Sequence, residues 1–312
     1  LDPFWNSKGL VTPEKFRESC APTVPLLRFE KRTFYQDETF RAKAEVYNYG
    51  PAVLRNAKLK WFVTDMSGRT LASGKLKTQT IRNYEVSPVG EFSFDFGKLT
   101  EPQRLTVHFT INDTLNNDWD IWVYPRQPEL MQSTADVLYT TVYDERAKQY
   151  LEQGKKVVLC PMPNRVKGRK STFHNHFWNP IMFKWPPMTI GCLIHNTQPV
   201  FADFITDNHT DWQWWDILEN AKVIEMTNAP QALRPFIQVI DSYDNNQKLG
   251  IGFEAKVKNG QLLVLAVDTK KDIDKRPATR QLLKSIDTYV KSGKFNPQVQ
   301  VDESFIQSFL IK

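Results

Sequence analysis

Long apolar runs, paired cysteines and glycine-rich loops are all scarce in this sequence. No apolar run approaches the ~20 residues that a membrane-spanning helix needs. The three cysteines, Cys20, Cys160 and Cys192, form no Cys-x-x-Cys pair, and their odd number argues against a disulfide framework. Residues 250–253, Gly-Ile-Gly-Phe, lack the third glycine of a dinucleotide-binding loop and lie in a predicted strand. We therefore expect no membrane contact, no disulfide scaffold and no cofactor.

The amino terminus lacks the basic start and apolar stretch of a signal peptide. The first residue is Leu1 and not Met, which predicts a processed or truncated piece of a longer protein. The formal net charge is +6, but Lys and Arg are interleaved with Asp and Glu along the chain. Nucleic-acid binders cluster such charge on one face, and the densest basic run here, residues 165–170, is short. We expect no nucleic-acid partner.

The first part of the chain has the pattern of an all-β domain. After a lead-in segment over residues 1–23, with a short helix predicted over 12–20 and capped by Thr12, apolar and polar residues alternate through residues 24–126. The predicted strands are Thr39–Tyr47, Leu59–Thr64, Thr70–Leu76, Gly90–Phe96, Arg104–Asn112 and Trp119–Tyr124. Short strands with turn residues about every ten positions predict a β-sandwich of immunoglobulin or fibronectin type. The Cys…Trp…Cys pattern of antibody domains is absent, so only the architecture is predicted.

The pattern changes after residue 126. The predicted elements are strands over 137–142 and 155–160 around a helix over 144–153, strands over 236–241, 249–257 and 261–267, and a helix over 277–292. A β-α-β unit implies a parallel pair with a right-handed crossover, and Asn259-Gly260 is typical of a hairpin turn. Residues 127–312 are therefore predicted to form a three-layer α/β domain, doubly wound with an antiparallel edge.

Residues 207–216, Asp-Asn-His-Thr-Asp-Trp-Gln-Trp-Trp-Asp, form the most unusual segment of the chain. Thr210 and Gln213 fit a helix capping box. In a helix, Trp212 and Trp215 would share one face, while Trp214 would share another face with Leu218. The segment is therefore predicted to open a helix that presents large aromatic rings.

These aromatic rings suggest two uses, which the sequence leaves open. Indole rings stack on the C–H faces of sugars while neighbouring polar groups bind the hydroxyls. The candidate carbohydrate contacts are Trp178, Trp212, Trp214, Trp215, Asp207, His209 and Asp211. The alternative is that the tryptophans, together with Trp185, pack a core or a domain interface.

Nucleophilic or metal chemistry has weaker support in the sequence. Cys160 follows a predicted strand, but the next residue is Pro161, which has no N–H to stabilise an oxyanion. His174 and His176 could face one side of a strand, with His195, His209 or Asp207 as further ligands. Two histidines without a fixed third ligand do not define a site, and we expect no metal and no catalytic residue.

Four segments carry a resemblance to a known family. Residues 1–14, Leu-Asp-Pro-Phe-Trp-Asn-Ser-Lys-Gly-Leu-Val-Thr-Pro-Glu, and residues 207–221, from Asp207 to Ala221, resemble the C-terminal region of bacterial multidomain enzymes related to β-galactosidases of glycoside hydrolase family 2. Residues 253–256 and 276–282 are similar to later segments of the same enzymes.

The resemblance implies a function that lies mostly outside this chain. Family members carry β-sandwich modules around a catalytic barrel, and some add a flavodoxin- or glutamine-amidotransferase-like domain without catalytic function. This chain would then be a non-catalytic accessory portion of a periplasmic or exported enzyme that hydrolyses β-linked sugars, with β-galactosides as the expected substrates. Its partners would be the catalytic barrel and, through the parent enzyme, carbohydrate. The alternatives are an autonomous carbohydrate-binding module that uses the tryptophans and a cryptic hydrolase in the α/β domain.

Overall fold

The computed structural model describes residues 2–97, 99–126, 130–171, 182, 189–242 and 245–311. The chain divides into two compact units, Leu1–Pro125 and Arg126–Lys312. In the described ranges, no helix is both long and apolar enough to cross a membrane.

The first unit consists of one short helix and a series of strands. Helix α1 spans Pro13–Arg17, and the strands are β1 (Thr23–Arg28), β2 (Thr33–Tyr35), β3 (Thr39–Asn48), β4 (Leu54–Thr64), β5 (Thr70–Ile81), β6 (Glu85–Asp95), β7 (Gln103–Ile111) and β8 (Leu115–Tyr124). They form a sheet in the order β1-β3-β6 and a second sheet in the order β2-β8-β7-β4-β5. The Thr12 side chain accepts a hydrogen bond from Lys15 N as predicted, but the helix ends at Arg17 and not at residue 20.

Alternating burial on both sheets produces one shared core. On β3, Phe40, Ala42, Ala44 and Val46 are buried, which confirms the predicted alternation. The ring of Trp61 on β4 stacks on Phe92 of β6 with centroids 4.5 Å apart, which joins the two sheets. Apolar burial between the two sheets, which are antiparallel except where β2 pairs in parallel with β8, stabilises this unit.

The second unit combines a larger sheet with helices. Its elements are β9 (Val137–Thr140), α2 (Glu145–Glu152), β10 (Lys156–Leu159), β11 (Cys192–Ile194), α3 (Trp214–Glu219), β12 (Ile224–Glu225), β13 (Ile237–Val239), β14 (Leu249–Val257), β15 (Gly260–Leu265), α4 (Pro277–Lys291) and α5 (Glu303–Phe309). The sheet order is β11-β13-β14-β15-β10-β9, with β12 paired to β14.

The predicted β-α-β unit is confirmed. Strands β9 and β10 pair in parallel, and β10 also pairs in parallel with β15. The Asp144 side chain accepts a hydrogen bond from Ala147 N at the start of α2, and Gly154 follows the helix with a φ of 76°, a conformation that glycine adopts without strain. The antiparallel part is larger than the predicted edge, because β11, β13, β14 and β15 are joined by antiparallel pairs.

Helices cover both faces of this sheet. Leu138 of β9 packs in a core with α2 and α5, whereas the neighbouring Tyr139 donates a hydrogen bond to Asp287 of α4 at 2.6 Å. Because successive strand residues point to opposite faces, α4 lies on the face opposite to α2 and α5. The predicted hairpin is confirmed between β14 and β15, with Lys258 and Asn259 in the turn.

Candidate functional site

Helix α3 begins later than the capping box predicts. Its first residue is Trp214, and the Asp211 carboxylate accepts a hydrogen bond from Gln213 N at 3.0 Å. Thr210 does not cap the helix, because its hydroxyl accepts a hydrogen bond from Cys192 N at 3.4 Å and joins the segment to β11. The predicted capping box is therefore wrong. The Thr210 hydroxyl is engaged by the backbone of β11, and the Asp211 carboxylate fixes the turn before the helix.

Trp214 belongs to the core. Its side chain has no exposed surface, and its Nε1 donates a hydrogen bond to Thr206 Oγ1 at 2.9 Å. The ring packs edge-on against Phe204 with centroids 5.4 Å apart. Leu218 is also buried, as the predicted shared face requires. Trp214 is thus a packing residue and cannot contact a sugar from this position.

Trp212 and Trp215 remain exposed at the surface. Their exposed fractions are 51% and 43%, and their ring centroids lie 6.3 Å apart with the planes tilted by 34°. The prediction that they share a face is confirmed. Two indole rings next to each other form an apolar surface whose exposure is unusual for such large side chains. We call Trp212 and Trp215 the tryptophan pair.

The polar candidates near the tryptophan pair have unequal accessibility. The second Asp211 oxygen accepts a hydrogen bond from Gln213 Nε2 at 3.0 Å. Together with the bond from Gln213 N, this engages both oxygens of the Asp211 carboxylate within the segment. The Asp207 carbonyl accepts a hydrogen bond from Thr206 Oγ1 at 3.1 Å. His209 is exposed, and its Nδ1 lies 2.9 Å from Asn208 Oδ1. Of the three, the His209 side chain is the one most exposed to solvent.

An ion pair between the buried Arg276 and the partly exposed Asp216 fixes α3 to the start of α4. Nε of Arg276 donates to both carboxylate oxygens of Asp216 at 2.9 Å, and Thr279 Oγ1 donates to the same carboxylate at 2.8 Å. The Arg276 side chain is only 5% exposed. Charge-assisted bonds to a buried guanidinium are stronger than neutral ones, so this network holds the helix that carries the tryptophan pair. Nothing in the spacing of the sequence identifies Arg276 as the partner of Asp216.

The buried cysteines do not have the properties of nucleophiles. Burial raises the pKa of Cys160 to about 12 and also raises the pKa of Cys192, so both thiols are protonated at neutral pH. Within the ranges given above, no group of three or more His, Cys, Asp or Glu side chains is placed to hold a metal ion. The candidates Trp178, His174 and His176, and also Trp185, lie outside the described residues.

Sequence reasoning missed a cavity of about 650 Å³ in the second unit. It is lined by Leu130, Met131, Tyr139, Thr140, Thr141, Val158, Cys160, Thr269, Lys270, Ile273, Asp274, Arg280 and Leu283. The sequence signal that could have found it is the occurrence of polar residues directly after predicted parallel strands.

Comparison with family models assigns the chain to one family. A family model described as Domain of unknown function (DUF8487) matches residues 138–311, which is more than half of the chain. A second model, Domain of unknown function (DUF8488), matches residues 38–125, within the first unit. No curated protein matches the sequence.

Solved structures show only distant similarity. An alkylpurine DNA glycosylase of Pseudomonas fluorescens is 14% identical, with 33% of this chain and 30% of that chain covered and a TM-score of 0.28. A β-glucuronidase of Parabacteroides merdae is 12% identical, with 44% and 21% covered and a TM-score of 0.25. A CARDB domain of Pyrococcus furiosus is 11% identical, with 32% and 86% covered and a TM-score of 0.25. The chain spans less than a third of the length of the first of these structures.

Proposed function

We propose that this chain is a non-catalytic accessory portion of a glycoside hydrolase related to β-galactosidases. The chain belongs to the family described as Domain of unknown function (DUF8487). The observation that carries the proposal is the arrangement of the aromatic segment. Trp214 is fully buried, whereas Trp212 and Trp215 expose about half of their surface beside each other. The buried Trp214 anchors this segment in the core, while the two exposed rings face outward. Such an arrangement is suited to contact another surface.

Two of the segments that carry the family resemblance meet in the second unit. Asp216 lies in the segment 207–221, and its partners Arg276 and Thr279 lie in the segment 276–282. These two stretches are far apart in sequence yet form one hydrogen-bonded network. Their meeting supports the view that the similar segments act together to hold the tryptophan pair in place.

The topology of the units is compatible with the accessory modules of such enzymes. In the first unit, sheets of three and five strands share a core, and β2 pairs in parallel with β8 at an edge. We propose an immunoglobulin- or fibronectin-like architecture for this unit. For the second unit, with a partly parallel sheet between helices, we propose a flavodoxin- or glutamine-amidotransferase-like origin. A periplasmic or exported location belongs to the same proposal.

In this role the tryptophan pair contacts the catalytic barrel of the parent enzyme. Burying two partly exposed indoles removes apolar surface from water, and tryptophans are enriched where interfaces gain most of their free energy. The partner would therefore present an apolar surface to Trp212 and Trp215. The parent would hydrolyse β-linked sugars with a pair of carboxylates in its barrel.

A second candidate function is carbohydrate recognition by this chain itself. It is favoured by the exposed ring of His209 near the same segment, because sugar sites combine an aromatic platform with hydrogen-bonding groups. The 34° tilt of the tryptophan pair would let each ring stack on a different sugar residue.

A glycan-binding assay separates the two candidates. The intact chain is titrated with galactosides and with plant and mucin oligosaccharides, alongside Trp212→Ala, Trp215→Ala and the matched control Trp5→Ala, which changes another exposed tryptophan, 81% accessible. Binding lost in the first two variants but not in the third would establish carbohydrate recognition. Absence of binding by the folded chain favours the docking role.

An activity assay tests the accessory role. We expect no hydrolysis of a chromogenic β-galactoside by the chain alone and hydrolysis by the full-length polypeptide made from the natural coding sequence. Turnover by the isolated chain would overturn the non-catalytic assignment, and a full-length polypeptide without glycosidase activity would overturn the parent assignment.

A further inference from the structure

Another cavity of the second unit, with a volume of about 420 Å³, lies where two loops meet. One loop leads from β12 to β13 and includes Met226 and Arg234, and the other leads into β14 and includes Lys248. The loops are joined because Met226 N donates a hydrogen bond to the Lys248 carbonyl at 2.8 Å. The volume lies within the range of small-molecule sites, roughly 300–1,000 Å³. We call this space the loop cavity.

Two cations line the loop cavity, and neither has a carboxylate partner within the described part of the chain. Arg234 is exposed, and its Nη1 donates to the Gln231 carbonyl at 2.9 Å. Lys248 is partly buried, and its Nζ donates to the Pro230 carbonyl at 3.5 Å, which is a weak bond. Because a guanidinium has five N–H donors and an ammonium has three, both side chains keep donors for a ligand.

The surroundings of Lys248 disfavour its charge as long as no anion is bound. Burial lowers the pKa of Lys248, and the positive charge of Arg234 lowers it further. An anion placed between the two side chains would replace this repulsion by attraction to both. Two neighbouring cations without a carboxylate are therefore better explained by a ligand than by a contribution to the stability of the fold.

The rest of the lining adds no negative charge. The Asn246 side chain is exposed and makes no hydrogen bond within the described ranges, so its amide is a further donor. Glu225 stays outside the lining, and its Oε1 accepts a hydrogen bond from the Thr227 hydroxyl at 3.0 Å. The buried Met226 supplies an apolar part of the wall.

We propose that the loop cavity binds a phosphate group, free or carried by a small organic molecule, between Arg234 and Lys248, with the Asn246 amide as a further donor. The planar guanidinium matches the geometry of phosphate oxygens, and the lysine ammonium adds a point charge. A phosphate monoester carries a charge of about −1.5 to −2 near pH 7, which two cations balance better than they balance a single carboxylate. The proposal does not depend on the tryptophan pair, which does not line this cavity.

The test uses probes that share a glucose body and differ in charge. Glucose 6-phosphate, glucuronate, neutral glucose and inorganic phosphate are titrated by calorimetry against the intact chain. We expect glucose 6-phosphate to bind at least about tenfold more tightly than glucuronate or glucose, because charge-assisted bonds to both cations favour the phosphate. Inorganic phosphate that binds as tightly as glucose 6-phosphate would assign the site to the free ion. Tighter binding of glucose 6-phosphate would assign it to a phosphate ester, and both outcomes support the proposal.

Two variants and a control make the assignment specific. Arg234→Gln and Lys248→Gln each remove one cation and should each weaken the binding of glucose 6-phosphate about tenfold or more. The matched control is Lys294→Gln, which removes an exposed lysine that also lacks an ion pair in the described ranges but does not line the cavity. We expect the control to bind as tightly as the original chain.

The melting temperature of each variant without ligand shows whether the variant folds. Lys248→Gln removes a charge that its surroundings disfavour, so we expect it to melt no lower than the original chain, and it keeps the test decisive if Arg234→Gln unfolds. Three outcomes would each overturn the proposal. These are no binding of glucose 6-phosphate or inorganic phosphate by the folded chain, glucuronate binding as tight as that of glucose 6-phosphate, and equal losses in Lys248→Gln and Lys294→Gln.

Discussion

The carboxylate of Asp216 accepts two hydrogen bonds at 2.9 Å from Nε of Arg276, a side chain that is almost fully buried. Another guanidinium nitrogen, Nη1, donates to the carbonyl of Asp268 at 2.6 Å. The pair therefore links α3, the loop after β15 and the start of α4. Helix α3 has only six residues, and a helix this short depends on tertiary contacts to persist.

Breaking this ion pair should destabilise the second unit. Asp216→Asn leaves the buried Arg276 charge without a countercharge, and we expect a loss of about 3 kcal/mol in the free energy of unfolding. Urea denaturation followed by tryptophan fluorescence measures it. The matched control is Asp272→Asn, which breaks the exposed pair with Lys275 and should cost less than about 1 kcal/mol. Equal effects of the two changes would contradict a special role for Arg276.

The three tryptophans should separate by their effect on stability. Trp214→Ala removes a fully buried ring and a hydrogen bond, and we expect a loss of about 3–5 kcal/mol. Trp212→Ala and Trp215→Ala change exposed rings and should each cost about 1 kcal/mol or less. Thermal unfolding of the variants measures the difference. A loss in Trp215→Ala as large as that in Trp214→Ala would mean that the tryptophan pair also serves packing, and its use as a binding surface would then be in doubt.

Glu254 should give the second unit a pH-dependent stability. Burial raises the pKa of this carboxyl, and the hydrogen bond from Tyr289, 2.7 Å long, only partly offsets the effect. The pKa of Glu254 in the folded chain lies above its value in the unfolded chain, about 4.3. Between these two pKa values the folded chain binds more protons than the unfolded chain. The free energy of unfolding therefore falls as the pH rises through this range.

Glu254→Gln removes this titration and keeps an acceptor for Tyr289. We expect the variant to be at least as stable as the original chain at pH 7 and to lose that advantage when the pH is lowered below 4. The midpoint of urea unfolding between pH 3.5 and 7 tests this. The contradicting outcome is a variant whose stability relative to the original chain is lower at pH 7 than at pH 4. That outcome would show that the ionised carboxylate stabilises the fold.

Gly260 occupies a position where no side chain fits. A Cβ there would lie 2.6 Å from Leu151 Cα and 2.6 Å from the Lys155 carbonyl oxygen, both backbone atoms that cannot move aside. We expect Gly260→Ala to cost about 3 kcal/mol, at the upper end of overpacking effects. Gly293→Ala meets no atom within 4 Å and is the control. Chemical denaturation of both variants measures the difference in the free energy of unfolding. Similar midpoints would contradict the close approach of α2 to the start of β15.

Local pattern predicted most of the regular elements. The alternation at Phe40, Ala42, Ala44 and Val46 identified β3, because one face of a half-buried strand must be apolar. The boundaries of β9, β10 and β14 fell within a few residues of the predictions. Strands β11 and β12, with three and two residues, carry too few positions for a period to be visible.

The candidate site was predictable only in part. Helical spacing placed Trp212 and Trp215 on one face and Trp214 on another, and the structure has both arrangements. Spacing could not decide which face of the helix is buried. The positions of the tryptophans have the same helical period whichever face packs against the sheet. It also assigned the cap to Thr210, whose hydroxyl bonds to the distant Cys192 backbone instead.

The sequence by itself determined the two-part organisation, the alternating strands of the first unit, the β-α-β unit of the second and the relative faces of the tryptophans. These follow from short-range periodicity and from capping residues such as Thr12 and Asp144, which act within a few positions of the chain. Only the tertiary structure decided that Asp216 pairs with Arg276 and that Lys270 and Arg280 line one cavity. Such pairings join residues distant in sequence, and they depend on how strands and helices pack, which no local pattern encodes.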